Sequence, residues 1–304
     1  MKVIQFSEYG APDVLRLAEV PTPEPGPGEA RLRIKASAVN PADPKWRQGM
    51  FQSFAPVPMP HVVGYDVAGE VDALGEGVTS LAKGDRVVVM LDPSTKGGYA
   101  EYAVAPPDSF VKLPDGLDFA TAAAIPTAGL TGVQMAEEHA RAHEGDLLLI
   151  TGATGAVGRF ALFAALARKA RVVAAVRASQ ADEARALGAG DVIVLGEQEW
   201  TGPAFSQIID TVGGPAVAVL CQHVQPGGGI FTAATTPIPA EGLSTTPLFI
   251  VVHSDPARLA ALMADVAAGK LSVPIARRLP LADAAQAHRL VEAGGLGGKV
   301  ILEP

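Results

Sequence analysis

Residues Asp146–Phe160 read DLLLITGATGAVGRF, and the rest of the chain is organised around this stretch. Leu147–Thr151 is an apolar, β-favouring run, and the Ala-, Leu- and Phe-rich residues Phe160–Ala167 follow the glycines at once. A short apolar run that ends in a glycine-rich turn and a helix-forming stretch is typical of a buried parallel strand leading into a helix. The sequence therefore predicts a strand, a tight turn and a helix.

The predicted turn suits a nucleotide phosphate. Its three glycines are spaced three apart, and such a turn directs free backbone N–H groups and the positive end of a helix dipole at one point. Gly155 would let the backbone approach a pyrophosphate, and Gly158 would let the helix pack close to the strand. The usual first glycine of a dinucleotide fingerprint is replaced by Ala153, so the pattern is GxxGxxG. The residues expected to contact the cofactor at this turn are Gly152, Thr154, Gly155, Ala156, Val157 and Gly158.

A second predicted strand, Arg171–Val176, follows at the spacing of a βαβ unit. A site that prefers NAD has an acidic residue about 20 residues past the glycines, where it binds the ribose 2′-hydroxyl. No acidic residue stands there, and Arg177 and Ser179 follow the strand instead. Because a guanidinium group suits a phosphate dianion, we predict NADPH as the cofactor.

Short β-favouring runs separated by Pro and Gly clusters fill the first 120 residues, which predicts a partly open β-barrel. The runs are Lys2–Phe6, Ala30–Val39, Asp66–Leu74, Asp85–Met90, Tyr99–Val104 and Phe110–Lys112. Strands and helices then alternate, which predicts a doubly wound parallel sheet that ends in a strand at Phe249–His253. We expect residues 123–268 to form this second domain, and residues 1–122 and 269–304 to form the first.

Composition excludes several classes of partner. The chain has 304 residues and a formal net charge of −8 without a basic run, so neither nucleic acid nor an anionic membrane is expected. The most apolar stretch is too short to span a bilayer, and the first residues carry no apolar signal region, so we expect a cytoplasmic protein. Cys221 is the only cysteine, which excludes disulfides within the chain.

The short-chain dehydrogenases are one alternative family, because Thr-Gly-x-x-x-Gly turns occur in them too. Their chemistry needs a Tyr-x-x-x-Lys pair. The residues four places after the tyrosines are Asp13, Gly69, Ala103 and Pro106, so the pair is absent. The glycine turn also lies in the middle of the chain rather than at its start.

Six ordered motifs carry a resemblance to a different family. They are Ala38–Gly49, Gly64–Gly69, Gly97–Tyr102, Gly129–Thr131, Asp210–Gly214 and Gly298–Val300. Together they resemble the zinc-free medium-chain dehydrogenase/reductases of the quinone oxidoreductase (zeta-crystallin-like) group, over nearly the whole chain. The resemblance implies an α/β protein with a GroES-like, partly open β-barrel domain and a doubly wound Rossmann domain. It also implies an NADPH:quinone oxidoreductase that needs no metal.

The resemblance shows where a metal would be in related zinc enzymes. Zinc alcohol dehydrogenases of the same superfamily hold their catalytic metal with Cys, His and Cys. Motif alignment puts Asn40, Tyr65 and Thr127 at those positions, and none of these is a good zinc ligand at neutral pH. We therefore expect no metal site.

A site without zinc constrains the substrate. Hydride transfer to an isolated ketone gives an alkoxide, whose conjugate acid has a pKa near that of water, about 15.7. Transfer to a quinone gives a phenolate, with a pKa of about 10 by analogy with tyrosine. The difference is worth about 7 kcal/mol at 1.36 kcal/mol per unit. A metal-free site is therefore better matched to quinones, or to enones that give a delocalised enolate.

The residues implied at the active site follow from the motifs. Asn40 is a candidate hydrogen-bond donor to the nicotinamide or the substrate oxygen. Asp43 would orient the Asn40–Trp46 loop or act as an acid, Trp46 would be an apolar wall or core, and Tyr65 is a candidate proton donor. Further predicted cofactor contacts are Thr127, Thr131, Val212, Ala233, Ala234, Phe249, Val251 and Lys299.

The leading prediction is an enzyme that passes hydride from NADPH to a small-molecule quinone. An alkenal or enone double-bond reductase on the same scaffold is the nearest alternative. A non-catalytic NADPH-binding redox sensor and a zinc alcohol dehydrogenase with unusual ligands are alternatives of other kinds. Because an apolar edge strand favours a partner, we also predict a homodimer through Phe249–His253.

Overall fold

A computed structural model describes residues 1–53, 55–92, 94–95 and 97–304. The chain forms two compact units. The first contains Met1–Thr127 and Ser254–Pro304, and the second contains Ala128–His253. Among the helices of the described residues, none has both the length and the apolar character needed to cross a membrane.

The described strands are β1 (Lys2–Phe6), β2 (Arg16–Glu19), β3 (Ala30–Val39), β4 (His61–Val62), β5 (Asp66–Leu74), β6 (Arg86–Met90), β7 (Tyr102–Ala105), β8 (Val111–Lys112), β9 (Leu147–Thr151), β10 (Arg171–Val176), β11 (Asp191–Val194), β12 (Gln207–Asp210), β13 (Ile230–Thr232), β14 (Leu248–Phe249), β15 (Ile275–Pro280) and β16 (Lys299–Glu303). The α-helices are α1 (Ala42–Arg47), α2 (Phe119–Ala123), α3 (Pro126–Gln134), α4 (Ala156–Ala167), α5 (Ala181–Ala186), α6 (Pro215–Cys221), α7 (Pro256–Ala267) and α8 (Ala284–Ala293). A π-helical turn, Met135–His139, extends α3.

The second unit is built on a parallel sheet of order β11-β10-β9-β12-β13-β14. Its central strand β9 is buried at every residue, as expected for an apolar run covered on both faces. Helix α4 connects β9 to β10, α5 connects β10 to β11, and α6 connects β12 to β13. The carboxyl ends of β9, β10 and β12 therefore lie at one edge of the sheet. This arrangement confirms the predicted doubly wound α/β sheet.

The first unit confirms the predicted β-barrel class. Its larger sheet has the order β15-β16-β3-β5-β6-β8, with β7 paired to β3, and a smaller sheet has the order β2-β1-β4. The ten-residue strand β3 pairs with β5, β7 and β16, so residues from both ends of the chain meet on it. Its buried apolar residues form one continuous core with those of β1, β5, β6 and α8.

Several predicted boundaries were wrong. The strand predicted at Phe249–His253 is reduced to Leu248–Phe249. Beyond it, the amide side chain of Gln134 satisfies the backbone N–H and C=O of His253, so no neighbouring strand is needed there. The strand predicted from Tyr99 begins at Tyr102, because the backbone of Tyr99 instead bonds to Val63 and Ile4. Strands β2, β4 and β15 were not predicted.

Candidate active site

The glycine turn after β9 is shaped by close backbone contacts. Gly152 adopts a left-handed φ of +61°. A Cβ atom on Gly158 would lie 2.2 Å from the carbonyl oxygen of Gly152 and 2.8 Å from Cα of Ala153, so only glycine lets α4 begin this close to the turn. A Cβ on Gly155 would meet only the Gly152 oxygen, at 3.1 Å, and Gly155 is exposed. The backbone at Gly155 is therefore open to a ligand.

Two further features of this turn fit a pyrophosphate. Helix α4 begins at Ala156 without a side-chain cap, so its first amide groups keep their N–H donors available. The hydroxyl group of Thr154 is buried and has no hydrogen-bond partner within the described residues. An uncapped helix start, an unpartnered hydroxyl and an open glycine together form a cradle for an anion, and these residues fit the predicted cofactor.

Arg159 also lies at this turn, and the sequence reasoning missed it. The side chain is 3% exposed. Its Nη2 atom donates to the carbonyl oxygen of Thr154 at 3.1 Å and pairs with the carboxylate of Glu183 on α5. The Arg159 guanidinium group therefore links the turn to α5. The sequence does contain an indication of this role, because an arginine directly after the last glycine is unusual in an otherwise apolar helix.

Arg177 and Ser179 lie where the sequence placed them, directly after β10. Both residues are exposed. Arg177 donates one hydrogen bond through Nε to the side-chain oxygen of Gln180, at 3.1 Å. The two terminal nitrogens of the guanidinium group have no hydrogen-bond partner within the described residues. The carboxyl end of β10 thus carries an accessible cation and a hydroxyl group.

Asp210 is a second residue that the sequence reasoning did not assign. It ends β12 fully buried, and its carboxylate accepts hydrogen bonds from the Thr151 and Thr232 hydroxyls at 2.5 and 2.6 Å. It also accepts from the backbone N–H groups of Val212 and Gly213 at 3.0 and 2.9 Å. One carboxylate thereby fixes the carboxyl ends of β9, β12 and β13 against one another.

The remaining predicted contacts in the second unit differ in exposure. Thr131 is buried in α3. Val212, Phe249 and Val251 are 39%, 48% and 76% exposed, which is high for large apolar side chains. Ala233 and Ala234 follow β13 and are half-buried.

A buried polar cluster occupies the first unit. Asn40, at the end of β3, donates from Nδ2 to the Asp66 carboxylate at 2.9 Å, and its Oδ1 atom accepts from the Lys299 ammonium group at 2.5 Å. The Asp66 carboxylate also accepts from the Thr127 hydroxyl at 2.7 Å and from its backbone N–H at 3.1 Å. Four predicted or motif residues, each from a different part of the chain, therefore meet at one point.

Asp43 anchors a second branch of this cluster. Its Oδ2 atom accepts from the backbone N–H of Asn40 at 2.7 Å and from the Tyr99 hydroxyl at 2.9 Å. The Oδ1 atom is buried and unpartnered within the described residues. The Tyr99 ring fits here because Gly64 has no side chain, since a Cβ there would lie 2.3 Å from the ring.

His288 on α8 continues this branch away from Asp43. Its Nε2 atom lies 3.2 Å from the Tyr99 hydroxyl, and its Nδ1 atom lies 3.4 Å from Nη1 of Arg47. Because Tyr99 donates to Asp43, the histidine must donate from Nε2 and accept at Nδ1, which is the neutral form. Burial, reinforced by the charge of Arg47, lowers the pKa of His288 to about 3.

Burial also shifts the acidic groups of the cluster. It raises the pKa of Asp43 to about 7, although the Asn40 N–H and the Tyr99 hydroxyl act in the opposite direction. Burial raises the pKa of Asp66 too, and the Lys299 charge with the Asn40 and Thr127 hydrogen bonds offsets part of that rise. The pKa of Tyr65 lies well above 10 because of burial and the two nearby carboxylates, so its hydroxyl keeps its proton.

His288 and Asp43 should affect the pH dependence of stability in opposite directions. The pKa of His288 is depressed from 6.5 to about 3, so its contribution is complete above pH 6.5 and is lost as the pH falls toward 3. The pKa of Asp43 is raised from 3.8 to about 7, so its contribution is complete below pH 3.8 and is lost as the pH rises through 7. Between these limits the two contributions cancel in the unsubstituted chain.

Substituting each residue in turn should separate the contributions of His288 and Asp43 to the pH dependence of stability. Relative to the unsubstituted chain, the free energy of unfolding of His288→Gln should rise by about 2 kcal/mol between roughly pH 6.5 and pH 5, and that of Asp43→Asn should fall by about as much. Urea unfolding followed by circular dichroism at each pH measures both differences. Parallel curves for the three proteins would show that neither group titrates as the structure indicates.

Trp46 lies beside this cluster. It is 8% exposed, and its ring packs edge-on against Phe51 with the ring centroids 5.0 Å apart. Its indole is also the group that lowers the pKa of Tyr65, against the larger effect of burial. Its packing role is visible in the structure, and its role as a wall for a substrate ring stays a prediction.

The residues at the three metal positions do not fit a zinc ion. The Asn40 oxygen accepts from an ammonium group, the Thr127 hydroxyl donates to Asp66, and Tyr65 stays protonated. Zinc sites instead use thiolate, imidazole or carboxylate ligands. In the part of the chain that the structure describes, no group of three or more His, Cys, Asp or Glu side chains is placed to hold a metal.

Comparison with known proteins identifies the family. The alcohol dehydrogenase GroES-like domain matches residues 26–115, and the family described as zinc-binding dehydrogenase matches residues 180–302. A chloroplast envelope quinone oxidoreductase homolog of Arabidopsis thaliana is 30% identical over 326 residues, which cover 100% of this chain and 98% of that protein. The quinone oxidoreductase of Lama guanicoe is 38% identical over 155 residues, 51% of this chain and 46% of its own.

Solved structures agree with this assignment. The quinone oxidoreductase of Coxiella burnetii has a TM-score of 0.88 and 30% identity, and the alignment covers 100% of this chain and 99% of that one. An NAD-dependent alcohol dehydrogenase has a TM-score of 0.91 and 31% identity, with 100% of both chains covered. A mycobacterial protein solved with NADPH has a TM-score of 0.84 and 28% identity, again with 100% of both chains covered.

The chain therefore belongs to the medium-chain dehydrogenase/reductase family of oxidoreductases. Within that family it is a quinone oxidoreductase-like member, as the resemblance in its motifs predicted. The match to the family described as zinc-binding covers residues 180–302, and Asn40, Tyr65 and Thr127 lie outside it.

Proposed function

We propose that this protein is an NADPH:quinone oxidoreductase that works without a metal. The observation that carries the proposal is the hydrogen-bonded set Asn40, Asp66, Thr127 and Lys299, which includes two of the three residues that motif alignment puts at the zinc positions of related alcohol dehydrogenases. Such a set offers hydrogen-bond donors and a cation, and its one carboxylate, Asp66, already accepts hydrogen bonds from Asn40 and Thr127. It suits an acceptor whose reduced oxygen is a phenolate, which is about 7 kcal/mol easier to form than an alkoxide.

The second unit would hold the cofactor. The uncapped start of α4, with Thr154 and the open backbone at Gly155, would bind the pyrophosphate, and Arg177 with Ser179 would bind the 2′-phosphate. When bound, NADPH supplies the hydride. The mycobacterial relative solved with NADPH supports this cofactor, whereas the structural similarity to an NAD-dependent alcohol dehydrogenase makes it an experimental question.

The first unit would act on the acceptor. The Asn40 amide is oriented by its neighbours, because Asp66 can only accept and Lys299 can only donate. Asp43 holds the Asn40 backbone and would keep the loop into α1 in place. The chain would thus position the acceptor and place polarity around its oxygen, with little further chemistry required of its side chains.

A cofactor-oxidation assay tests the proposal. NADPH consumption would be followed with 1,4-benzoquinone, 1,4-naphthoquinone and an α,β-unsaturated ketone as acceptors. We expect turnover with both quinones and slower turnover with the enone. Activity with the enone alone would identify a double-bond reductase instead. Tight NADPH binding without oxidation by any acceptor would identify a non-catalytic sensor.

We also propose a homodimer formed through the edge at β14. Leu248, Phe249 and Val251 are 53%, 48% and 76% exposed, and they form apolar surface at β14, the edge strand of its sheet. Val251→Asp should therefore shift sedimentation from dimer to monomer at micromolar concentration. Val219→Asp is the matched control, because Val219 is an exposed valine, 51% exposed, on α6. A monomer for the unsubstituted chain would rule out the proposal.

A further inference from the structure

Lys299 is buried in a way that is rare for lysine. It opens β16, is 6% exposed and lies between β15 and β3 in the sheet. Lysine is almost never fully buried unless it is paired with a counter-ion. Burial accordingly lowers the pKa of Lys299, and the charges of Asp66 and Asp43 act against that decrease.

The contacts of this ammonium group are incomplete. Among the described residues, the ammonium group donates one hydrogen bond, to Oδ1 of Asn40, and it forms no direct ion pair with a carboxylate. An ammonium group has three N–H donors, so two of them are without an acceptor there. Leaving such donors unused in a buried position is costly unless a ligand takes them.

The surroundings keep the charge in place without neutralising it directly. The Asn40 amide lies between the ammonium group and Asp66, so cation and anion are separated by one side chain. Asp66 is already occupied by hydrogen bonds from Asn40 and Thr127. The carboxylate is therefore not available to take the two remaining ammonium donors, although its charge still favours the protonated lysine.

We propose that Lys299 is a catalytic residue whose ammonium group donates a hydrogen bond to the acceptor's carbonyl oxygen and stabilises the negative charge that develops there. This inference rests on the proposed quinone reduction and adds to the cofactor contact predicted for the same residue. A fixed cation in a buried, low-dielectric site is worth far more than one in water, and it needs no reorganisation during the reaction. It supplies the charge stabilisation that a metal would otherwise give.

Two substitutions separate charge from shape. Lys299→Met keeps most of the side-chain volume and removes the charge, whereas Lys299→Arg keeps the charge. The matched control is Lys270→Met, because the Lys270 side chain is 62% exposed and pairs with Asp265 at the surface. We expect Lys299→Met to lower kcat for 1,4-benzoquinone by about 100-fold or more, with little change in the KM for NADPH. Lys299→Arg should retain a larger share, and Lys270→Met should be unchanged.

A binding measurement gives a readout that does not depend on turnover. The anion of 2-hydroxy-1,4-naphthoquinone serves as a probe for the charged product, and neutral 1,4-naphthoquinone is its uncharged counterpart. By calorimetry, Lys299→Met should bind the anion about 10-fold or more weakly and the neutral quinone equally well. Equal affinity of the Met variant and the unsubstituted protein for the anion, together with unchanged kcat, would overturn the proposal.

A double variant distinguishes a loss of activity from a loss of folding. Lys299→Met leaves the Asp66 charge without its cation, so the double variant Lys299→Met/Asp66→Asn restores neutrality. We expect the double variant to unfold at a temperature close to that of the unsubstituted protein and to stay inactive. Recovery of full activity in it would contradict a catalytic role. If the unsubstituted protein reduces no quinone, the proposed function fails, and the anion-binding comparison still decides the role of the Lys299 charge.

Discussion

Replacing Gly158 with alanine should both weaken cofactor binding and lower the stability of the fold. The new Cβ atom would lie 2.2 Å from the Gly152 oxygen and 2.8 Å from Cα of Ala153, and both of these are backbone atoms that cannot rotate away. Such overpacking typically costs about 1–3 kcal/mol. The resulting shift of α4 would also move the amide groups that receive the pyrophosphate. We expect NADPH to bind roughly 100-fold or more weakly by fluorescence titration.

Gly155→Ala is the informative partner of that variant. Gly155 has a φ of −70°, which any residue adopts, and its Cβ would meet only the Gly152 oxygen, at 3.1 Å. It should therefore fold normally and lose only cofactor affinity. Gly190→Ala is the neutral control, because its nearest atom would be 3.7 Å away. Normal NADPH affinity in both Gly155→Ala and Gly158→Ala would place the cofactor elsewhere in the molecule.

Replacing Arg177 with alanine should remove the preference for NADPH over NADH. The guanidinium group follows β10 and is exposed, and among the described residues its hydrogen bond is the one from Nε to Gln180. A charge-assisted hydrogen bond contributes about 1.5–3 kcal/mol, so the KM for NADPH should rise roughly 10- to 100-fold. The KM for NADH should stay nearly constant, because NADH has no 2′-phosphate for Arg177 to bind.

Arg185→Ala controls for the loss of a positive charge near this site. Arg185 lies on α5 and pairs with Asp182 at the surface, so its removal should change neither KM. Equal effects of Arg177→Ala on NADPH and NADH would mean that Arg177 does not contact the 2′-phosphate. An unsubstituted protein that uses NADH as well as NADPH would contradict the cofactor preference itself.

Local sequence patterns predicted most of the fold correctly. Leu147–Thr151 and Arg171–Val176 are strands with the predicted ends, because each is a compact β-favouring run with clear turn residues around it. The Ala-rich stretch after Asp118 breaks at Pro126 into α2 and α3, as expected where a proline cannot continue a helix. These elements depend on their own residues more than on distant ones.

Elements whose backbone is satisfied from a distance could not be predicted. The predicted strand at Phe249–His253 is shortened because the side chain of Gln134, 119 residues away in sequence, satisfies the backbone of His253. Strand β15 has a mixed polar pattern, and it is a strand because it pairs with β16. No periodic pattern in the sequence indicates the contact between Gln134 and His253 or the pairing of β15 with β16.

The buried polar cluster around Asn40 shows the same limit. The motifs contain Asn40, Asp66 and Lys299, but Lys299 and Asn40 are 259 residues apart in sequence, and only the fold brings their side chains together. His288 lies in α8, and no pattern in the sequence indicates its contact with Tyr99. Residue types could suggest the chemistry, whereas the buried pairing of an ammonium group with an amide required the structure.

The central claim is that hydride reaches a quinone here without the help of a metal ion. The most direct measurement is NADPH-dependent reduction of 1,4-benzoquinone by protein that has been dialysed against a chelator and checked for metal content by mass spectrometry. We expect kcat to stay within roughly twofold of the untreated value, and we expect added zinc not to raise it. Loss of activity on chelation, followed by recovery with one zinc ion per chain, would contradict it.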